Sequence, residues 1–273
     1  MEVHIPDFFD LKKIADSGQC FRAVLRPEGS YRFITGEQVL YIRPVSGEIY
    51  QVSCDADLWE RVWIPYFDLG RNYKELNRWI PAEDTFLNRA ARAGAGIRIL
   101  HQDPWETLVT FIISQRKSIL AIRSVVELLS QRYGTEIHTP FETLYAFPTA
   151  LQLRDVCGED YIACKAGYRA PYLCDAVQQV LSGHLNLDEI ASYPDNQLIS
   201  ALEGVRGVGI KVANCVALFA YGRTACAPVD TWIQKIIRKE YGGRAPFERY
   251  GDAAGIMQQY FFYYAQSHRE ETA

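Results

Sequence analysis

The chain has 273 residues, 48% of them hydrophobic and 23% charged, which describes a soluble globular protein with enough core for one large domain or two ordinary ones. No run of about 20 uncharged apolar residues is present and the start, with an early Glu2, has no apolar signal region, so neither a membrane span nor a secretory signal is expected and a cytoplasmic location is the default expectation. The seven cysteines are scattered without a Cys-x-x-Cys pair and the five histidines do not cluster, which argues against structural zinc and iron–sulfur, while a net charge of −4 leaves nucleic acid open, because binding needs only a local basic face or exposed amides.

Four short segments rich in aromatic and β-branched residues open the chain, Gln19–Leu25, Tyr31–Thr35, Val39–Arg43 and Ile49–Val52, and turn signals at Pro27-Glu28-Gly29, Gly36-Glu37 and Pro44 through Gly47 separate them. An antiparallel sheet is expected there, followed by a helical stretch over Leu58 to Ala93. From Asp103 the texture turns helical. Asp103-Pro104-Trp105-Glu106 has a capping residue, a first-turn proline and an acid in capping-box position. Helices are expected over Leu108–Ile113, Ile119–Leu129, Tyr172–Leu181, Asn196–Glu203, Lys211–Tyr221, Thr231–Tyr241 and Asp252–Gln266. The expected fold class is α+β: an N-terminal antiparallel sheet domain over residues 1–102, then an all-α domain over 103–273.

The segment richest in chemistry is Gly204-Val205-Arg206-Gly207-Val208-Gly209-Ile210-Lys211-Val212-Ala213. A helix ends near Leu202, Gly207-Val208-Gly209 makes a hairpin, and a new helix begins near Ile210. Glycines keep Cβ atoms away from a ligand, and the free amides at the new helix start, Val212 among them, make an anion site suited to a DNA phosphate. Two glycines joining two helices is the plain reading of Gly207 and Gly209 alone. Lys211 beside them is either a phosphate contact or a nucleophile, and Asp230 in Pro228-Val229-Asp230-Thr231-Trp232 is an ordinary N-cap, a catalyst, or both.

Together these motifs resemble the helix-hairpin-helix DNA glycosylases, and among them the 8-oxoguanine DNA glycosylase/AP lyases. The resemblance extends to Ser17-Gly18-Gln19-Cys20-Phe21-Arg22, Gln102-Asp103-Pro104, Gly167-Tyr168-Arg169-Ala170 and Gly255-Ile256-Met257-Gln258, in the family's order over nearly the whole chain. It implies a TBP-like sheet domain before the helix-hairpin-helix domain, and a bifunctional enzyme that excises oxidised purine from duplex DNA. Lys211 would form a Schiff base with the sugar, β-elimination would follow, and Asp230 would stabilise the cationic sugar. In the lesion pocket, Gly18 would offer its carbonyl to the hydrogen that distinguishes 8-oxoguanine from guanine, Gln258 would read the Watson–Crick edge, and Phe262 and Cys215 would sandwich the ring, with Phe219 beside them. Tyr168 would act as a wedge and Arg169 as a contact to the base left behind, and Trp232 joins the DNA-binding set. Cys215 and Phe262 also read simply as core residues on apolar helix faces.

The match fails where the family carries an asparagine run: Ile113-Ser114-Gln115-Arg116-Lys117-Ser118 stands there, and Ala121 replaces a partner-reading arginine. Arg116 can fill the gap and bond the orphaned base while Lys117 reaches phosphate, or both are solvated charges at a helix end. Arg206 stands for a hairpin proline and adds a phosphate contact. Two alternatives stay open: an alkylated-purine (3-methyladenine type) glycosylase of the same superfamily, and a non-catalytic DNA-binding module. The expected partner is double-stranded DNA with a damaged base, the expected state a monomer, and a bacterial chain would associate with the nucleoid. No metal or organic cofactor is expected, although the resemblance allows a monovalent cation at the hairpin.

Overall fold

In the computed structural model, which describes residues 1–268, strands Glu2–His4 (β1), Val24–Leu25 (β2), Tyr31–Thr35 (β3), Gln38–Ser46 (β4) and Ile49–Val52 (β5) form one sheet, with helix Leu11–Asp16 (α1) between the first two. The spatial order is β1-β5-β4-β3-β2, with antiparallel registers such as Val3↔Tyr50 and Ile42↔Val52 and a bulge between Pro44 and Ser46. The strand expected over Gln19–Leu25 survives only as β2. Gln19 turns inward instead: its amide donates to Ser17 Oγ and the Arg98 carbonyl, both at 2.8 Å, and its Oε1 accepts the Leu100 N–H at 2.7 Å. A buried side chain that satisfies backbone groups competes with ladder pairing and wins here.

The helical stretch expected over Leu58 to Ala93 is broken into pieces. Ala56–Leu58 (α2) passes through a π-helical turn at Trp59–Trp63 into Ile64–Tyr66 (α3), and Tyr73–Arg78 (α4) and Thr85–Gly94 (α5) follow. The last two start at side-chain caps, Asn72 accepting from the Glu75 N–H and Asp84 from the Leu87 N–H. Then come Pro104–Ser114 (α6), Ile119–Tyr133 (α7), the hairpin Glu136–His138 (β6) and Thr143–Tyr145 (β7), Gly158–Ala163 (α8), Ala170–Leu181 (α9), Asp195–Glu203 (α10), Ile210–Phe219 (α11), Thr231–Glu240 (α12) and Ala254–Ser267 (α13). Asp103 caps α6 as its sequence implies, accepting the Glu106 N–H at 2.7 Å. The second half is therefore not all-α: β6 and β7 pair antiparallel, in strands of three residues, too short for alternation to stand out in the sequence.

The chain divides into two units, residues 1–32, 40–101 and 222–273 in the first and 33–39 and 102–221 in the second. One division falls between His101 and Gln102, and the second unit does not run on through 103–273 as the expected second domain does. Residues from Gly222 onward return to the first unit, because α13 packs along α5, with Phe86 edge-on to Phe261 at 5.0 Å between centroids. The final five positions of the expected domain, 269–273, lie outside the described residues. Asp84 fastens the same packing: its carboxylate accepts the Tyr241 hydroxyl at 2.7 Å and the Tyr250 hydroxyl at 2.5 Å. Arg98, wholly buried in the first unit, is held by Asp7 and by the carbonyls of Phe8, Phe67, Asp68 and Arg71, which satisfies a charge that would be prohibitive alone.

All seven cysteines are unbridged. Among the described residues, no helix is long and apolar enough to cross a membrane and no group of three or more His, Cys, Asp or Glu is arranged to hold a metal ion.

Candidate active site

The second unit carries the hairpin. After α10 the chain turns through Gly207, whose φ of +82° and contact with the Tyr172 ring admit only glycine: a Cβ there would lie 2.4 Å from Tyr172 Cδ2. Gly209 is unlike Gly207. Its backbone is extended, φ −110° and ψ 179°, and a Cβ would meet nothing within 4 Å, so the fold itself does not demand glycine there. Gly209 is the N-cap of α11 and offers no side chain, which leaves the N–H groups of Ile210, Lys211 and Val212 without helical acceptors. The side chain of Val212 is buried, so only its amide can serve a ligand. Arg206, exposed beside the turn, gives its own N–H to Asp175 at 2.8 Å and leaves its guanidinium at the surface.

Lys211 lies in the first turn of α11, half-buried. Its Nζ sits 5.2 Å from the centroid of Phe111, and Phe111 stacks on Phe219 at 5.5 Å. Within its unit the amine makes no hydrogen bond or ion pair, so it is tethered only by its stem and an aromatic floor. Phe219 and Cys215, expected in the lesion pocket, are 2% and 3% exposed. Phe219 is thus a support beneath Phe111 rather than an open wall.

The turn after α6 holds Gln115, Arg116 and Lys117. Arg116 adopts φ +52°, unusual for a residue with a side chain, and is exposed. Lys117 Nζ donates to the Lys165 carbonyl at 2.9 Å, and burial together with the Arg169 charge pushes its ammonium below the usual lysine range. Arg169 departs from its expected place. Only 4% exposed, it donates to the carbonyls of Gln115 and Ala166 and lies 4.3 Å from the Tyr168 ring centroid, so in this structure its guanidinium braces the turn. Tyr168 is 53% exposed.

The first unit holds the other candidates. Gly18 has φ +75°, and a Cβ on it would stand 2.7 Å from Phe262 Cε1, so the glycine backbone lies directly against that ring. Gln19 pins this turn, a positioning role that no sequence pattern signalled. Gln258, one turn before Phe262 on α13, is 3% exposed, and its Oε1 accepts from Gln259 at 3.2 Å. Asp230 caps α12 by accepting the Ile233 N–H at 2.9 Å through Oδ1 and, among the described residues of its unit, keeps Oδ2 free of bonds, so cap and available carboxylate coexist. Trp232 is half-buried with Lys235 Nζ 5.3 Å from its ring.

Residues 3–108 match the family model for the 8-oxoguanine DNA glycosylase N-terminal domain. A solved structure of the Clostridium acetobutylicum 8-oxoguanine glycosylase/lyase, in complex with double-stranded DNA containing cytosine opposite 8-oxoguanine, is 35% identical; the match covers 98% of each chain with a TM-score of 0.91. The chain belongs to the 8-oxoguanine DNA glycosylase family. The N-glycosylase/DNA lyase of Saccharomyces cerevisiae is 33% identical over 190 residues, 64% of this chain, and the match spans half the length of that relative. The 3-methyladenine DNA glycosylase of Archaeoglobus fulgidus shares the fold, at a TM-score of 0.77 over 97% of the chain, but only 19% identity. Of the candidate site residues, Lys211, the hairpin, Arg116, Lys117, Tyr168 and Arg169 lie in one unit, and Gly18, Gln258, Phe262 and Asp230 in the other.

Proposed function

We propose that the chain excises 8-oxoguanine from duplex DNA and cleaves the resulting abasic strand, with Lys211 as nucleophile. The observation that carries this reading is a lysine in the first turn of a helix whose open N-terminal amides suit a DNA phosphate, in a chain that matches an 8-oxoguanine glycosylase/lyase end to end. The neutral Lys211 amine attacks the anomeric carbon, and the glycosidic electron pair leaves with the base. Loss of an amine proton and opening of the sugar give an iminium ion. That cation acidifies the adjacent C2′ hydrogen, and β-elimination expels the 3′ phosphate. The Asp230 carboxylate, immobilised by its cap, stabilises the positive sugar. The Gly18 carbonyl accepts the lesion's distinguishing N–H, and Phe262, against which Gly18 lies, covers the base.

Arg116 is the exposed guanidinium of the turn while Arg169 is engaged with carbonyls, which supports Arg116 as the group that meets the orphaned base. The monomer and the monovalent cation belong to the same proposal. The Gly207 carbonyl already takes the Gln115 amide, which leaves one lone pair of that oxygen for an ion. Exchanging potassium for tetramethylammonium at constant ionic strength should weaken duplex binding, and equal affinity in the two salts would remove the cation. The substrate test is direct: duplexes with 8-oxoguanine yield free base and a nicked strand, whereas release of 3-methyladenine alone would move the assignment to the alkylated-purine enzymes.

A further inference from the structure

Gln115 occupies a junction that neither the catalytic chemistry nor the family motifs call upon. Its backbone carbonyl accepts from the Arg169 guanidinium and, at 3.4 Å, from the Tyr168 hydroxyl. Its side-chain amide donates to the Gly207 carbonyl at 3.1 Å and to the Ile112 carbonyl at 3.2 Å. One residue therefore touches the wedge through its main chain and the nucleophile's hairpin through its side chain. Arg116 follows it directly, held in the left-handed conformation. Apolar contact closes the loop: Tyr168 lies edge-on to Tyr172 at 6.3 Å, and the Tyr172 ring packs on Gly207.

We propose that Gln115 is a positioning residue that transmits the seating of the Tyr168–Arg169 wedge to the hairpin carrying Lys211. The inference rests on the glycosylase/lyase reading. When a strand presses on Tyr168, the carbonyl of Gln115 shifts with the two donors that hold it. The side-chain amide then carries that shift to the Gly207 carbonyl, four residues before Lys211. A short polar bridge is suited to this, because hydrogen-bond geometry is lost within a few tenths of an ångström while apolar contacts slide. The consequence is that wedge insertion and nucleophile alignment occur together, which protects undamaged DNA from an aligned lysine.

The test uses Gln115→Met, which keeps size without the amide, and Gln115→Glu, which sets a carboxylate against the Gly207 carbonyl. Both are compared with Tyr168→Ala and with the Gln115→Met/Tyr168→Ala double variant. Melting temperature and affinity for undamaged duplex should stay near wild type in Gln115→Met, the variant on which the rate comparison rests. Single-turnover excision of 8-oxoguanine at saturating enzyme should fall about 10- to 100-fold, the scale of a small misplacement of a reacting group. The double variant should be no slower than the slower single variant, because both changes cut one connection. The proposal is overturned if Gln115→Met excises within about twofold of wild type, if the losses multiply in the double variant, or if melting or duplex affinity falls enough to account for the rate. Wild-type protein that gives no product at all would instead refute the glycosylase reading on which the inference stands.

Discussion

Gly18 and Arg116 show what single positions contribute. At Gly18 a side chain meets two obstacles, a φ of +75° and the Phe262 ring 2.7 Å from the would-be Cβ. A left-handed backbone costs an alanine about 1–2 kcal/mol, and the ring, half-buried, must also yield. Gly18→Ala should therefore lower stability by roughly that amount in urea melts. It should also slow 8-oxoguanine excision far more than cleavage of a ready-made abasic site, which has no base to recognise. Equal losses on the two substrates would mean that Gly18 does not face the lesion. Arg116 carries the opposite-base account. Its removal as Arg116→Ala should compress the spread of rates across the four partner bases by about tenfold, the worth of one good base contact. An unchanged spread would leave partner recognition to another residue.

Whole elements are held by apolar faces with a few polar fasteners. Helix α13 packs along α5, and Asp84, which caps α5, adds a polar tie by accepting two tyrosine hydroxyls from the segment between α12 and α13. Burial, together with these bonds to Asp84, pushes the Tyr241 hydroxyl well above the usual tyrosine range. Asp84→Ala removes a cap and orphans two half-buried hydroxyls, so a loss of about 2–4 kcal/mol is expected in urea unfolding. A loss under about 1 kcal/mol would show that the aromatic packing of Phe86, Tyr241 and Phe261 suffices alone. The hairpin helix α11 works differently. Its start carries no side-chain cap, which leaves open amides of the kind that suit an anion.

Acid should weaken the molecule in two steps. Burial holds the His101 imidazole below its ordinary value of 6.5, so the folded state prefers it neutral; that preference is complete above about pH 6.5 and erodes as the pH falls below it. Asp7 contributes at lower pH. Burial alone would raise its carboxyl, but N–H groups of Tyr73, Phe8 and Lys74 and the Arg98 guanidinium outweigh that and hold it below 3.8. Its stabilisation is present above that value and lost as the pH falls through the lower folded one. Urea midpoints between pH 8 and 3 should decline first below about 6.5 and again below about 4, and His101→Gln should abolish only the first decline. Much of this molecule is legible in its sequence. The periodic helices α6, α7 and α9 to α13 and the strands β3 to β5 follow from pattern, and the hairpin follows from its glycines. Gln19 and Gln115 do not, because a polar side chain that bonds distant backbone looks like any surface glutamine. The return of α12 and α13 to the first unit was hidden for a similar reason: helix periodicity marks a buried face without naming its partner. Arg169 shows the converse, a residue type suited to DNA that the fold uses for its own carbonyls.

The central claim is that Lys211 is the nucleophile of an 8-oxoguanine glycosylase/lyase. Borohydride added to the protein with a duplex containing 8-oxoguanine opposite cytosine should freeze a covalent protein–DNA adduct, and Lys211→Gln, still folded and still binding the duplex, should give none. An adduct of undiminished yield in Lys211→Gln, or free 8-oxoguanine released by wild-type protein with no adduct at all, would contradict the account.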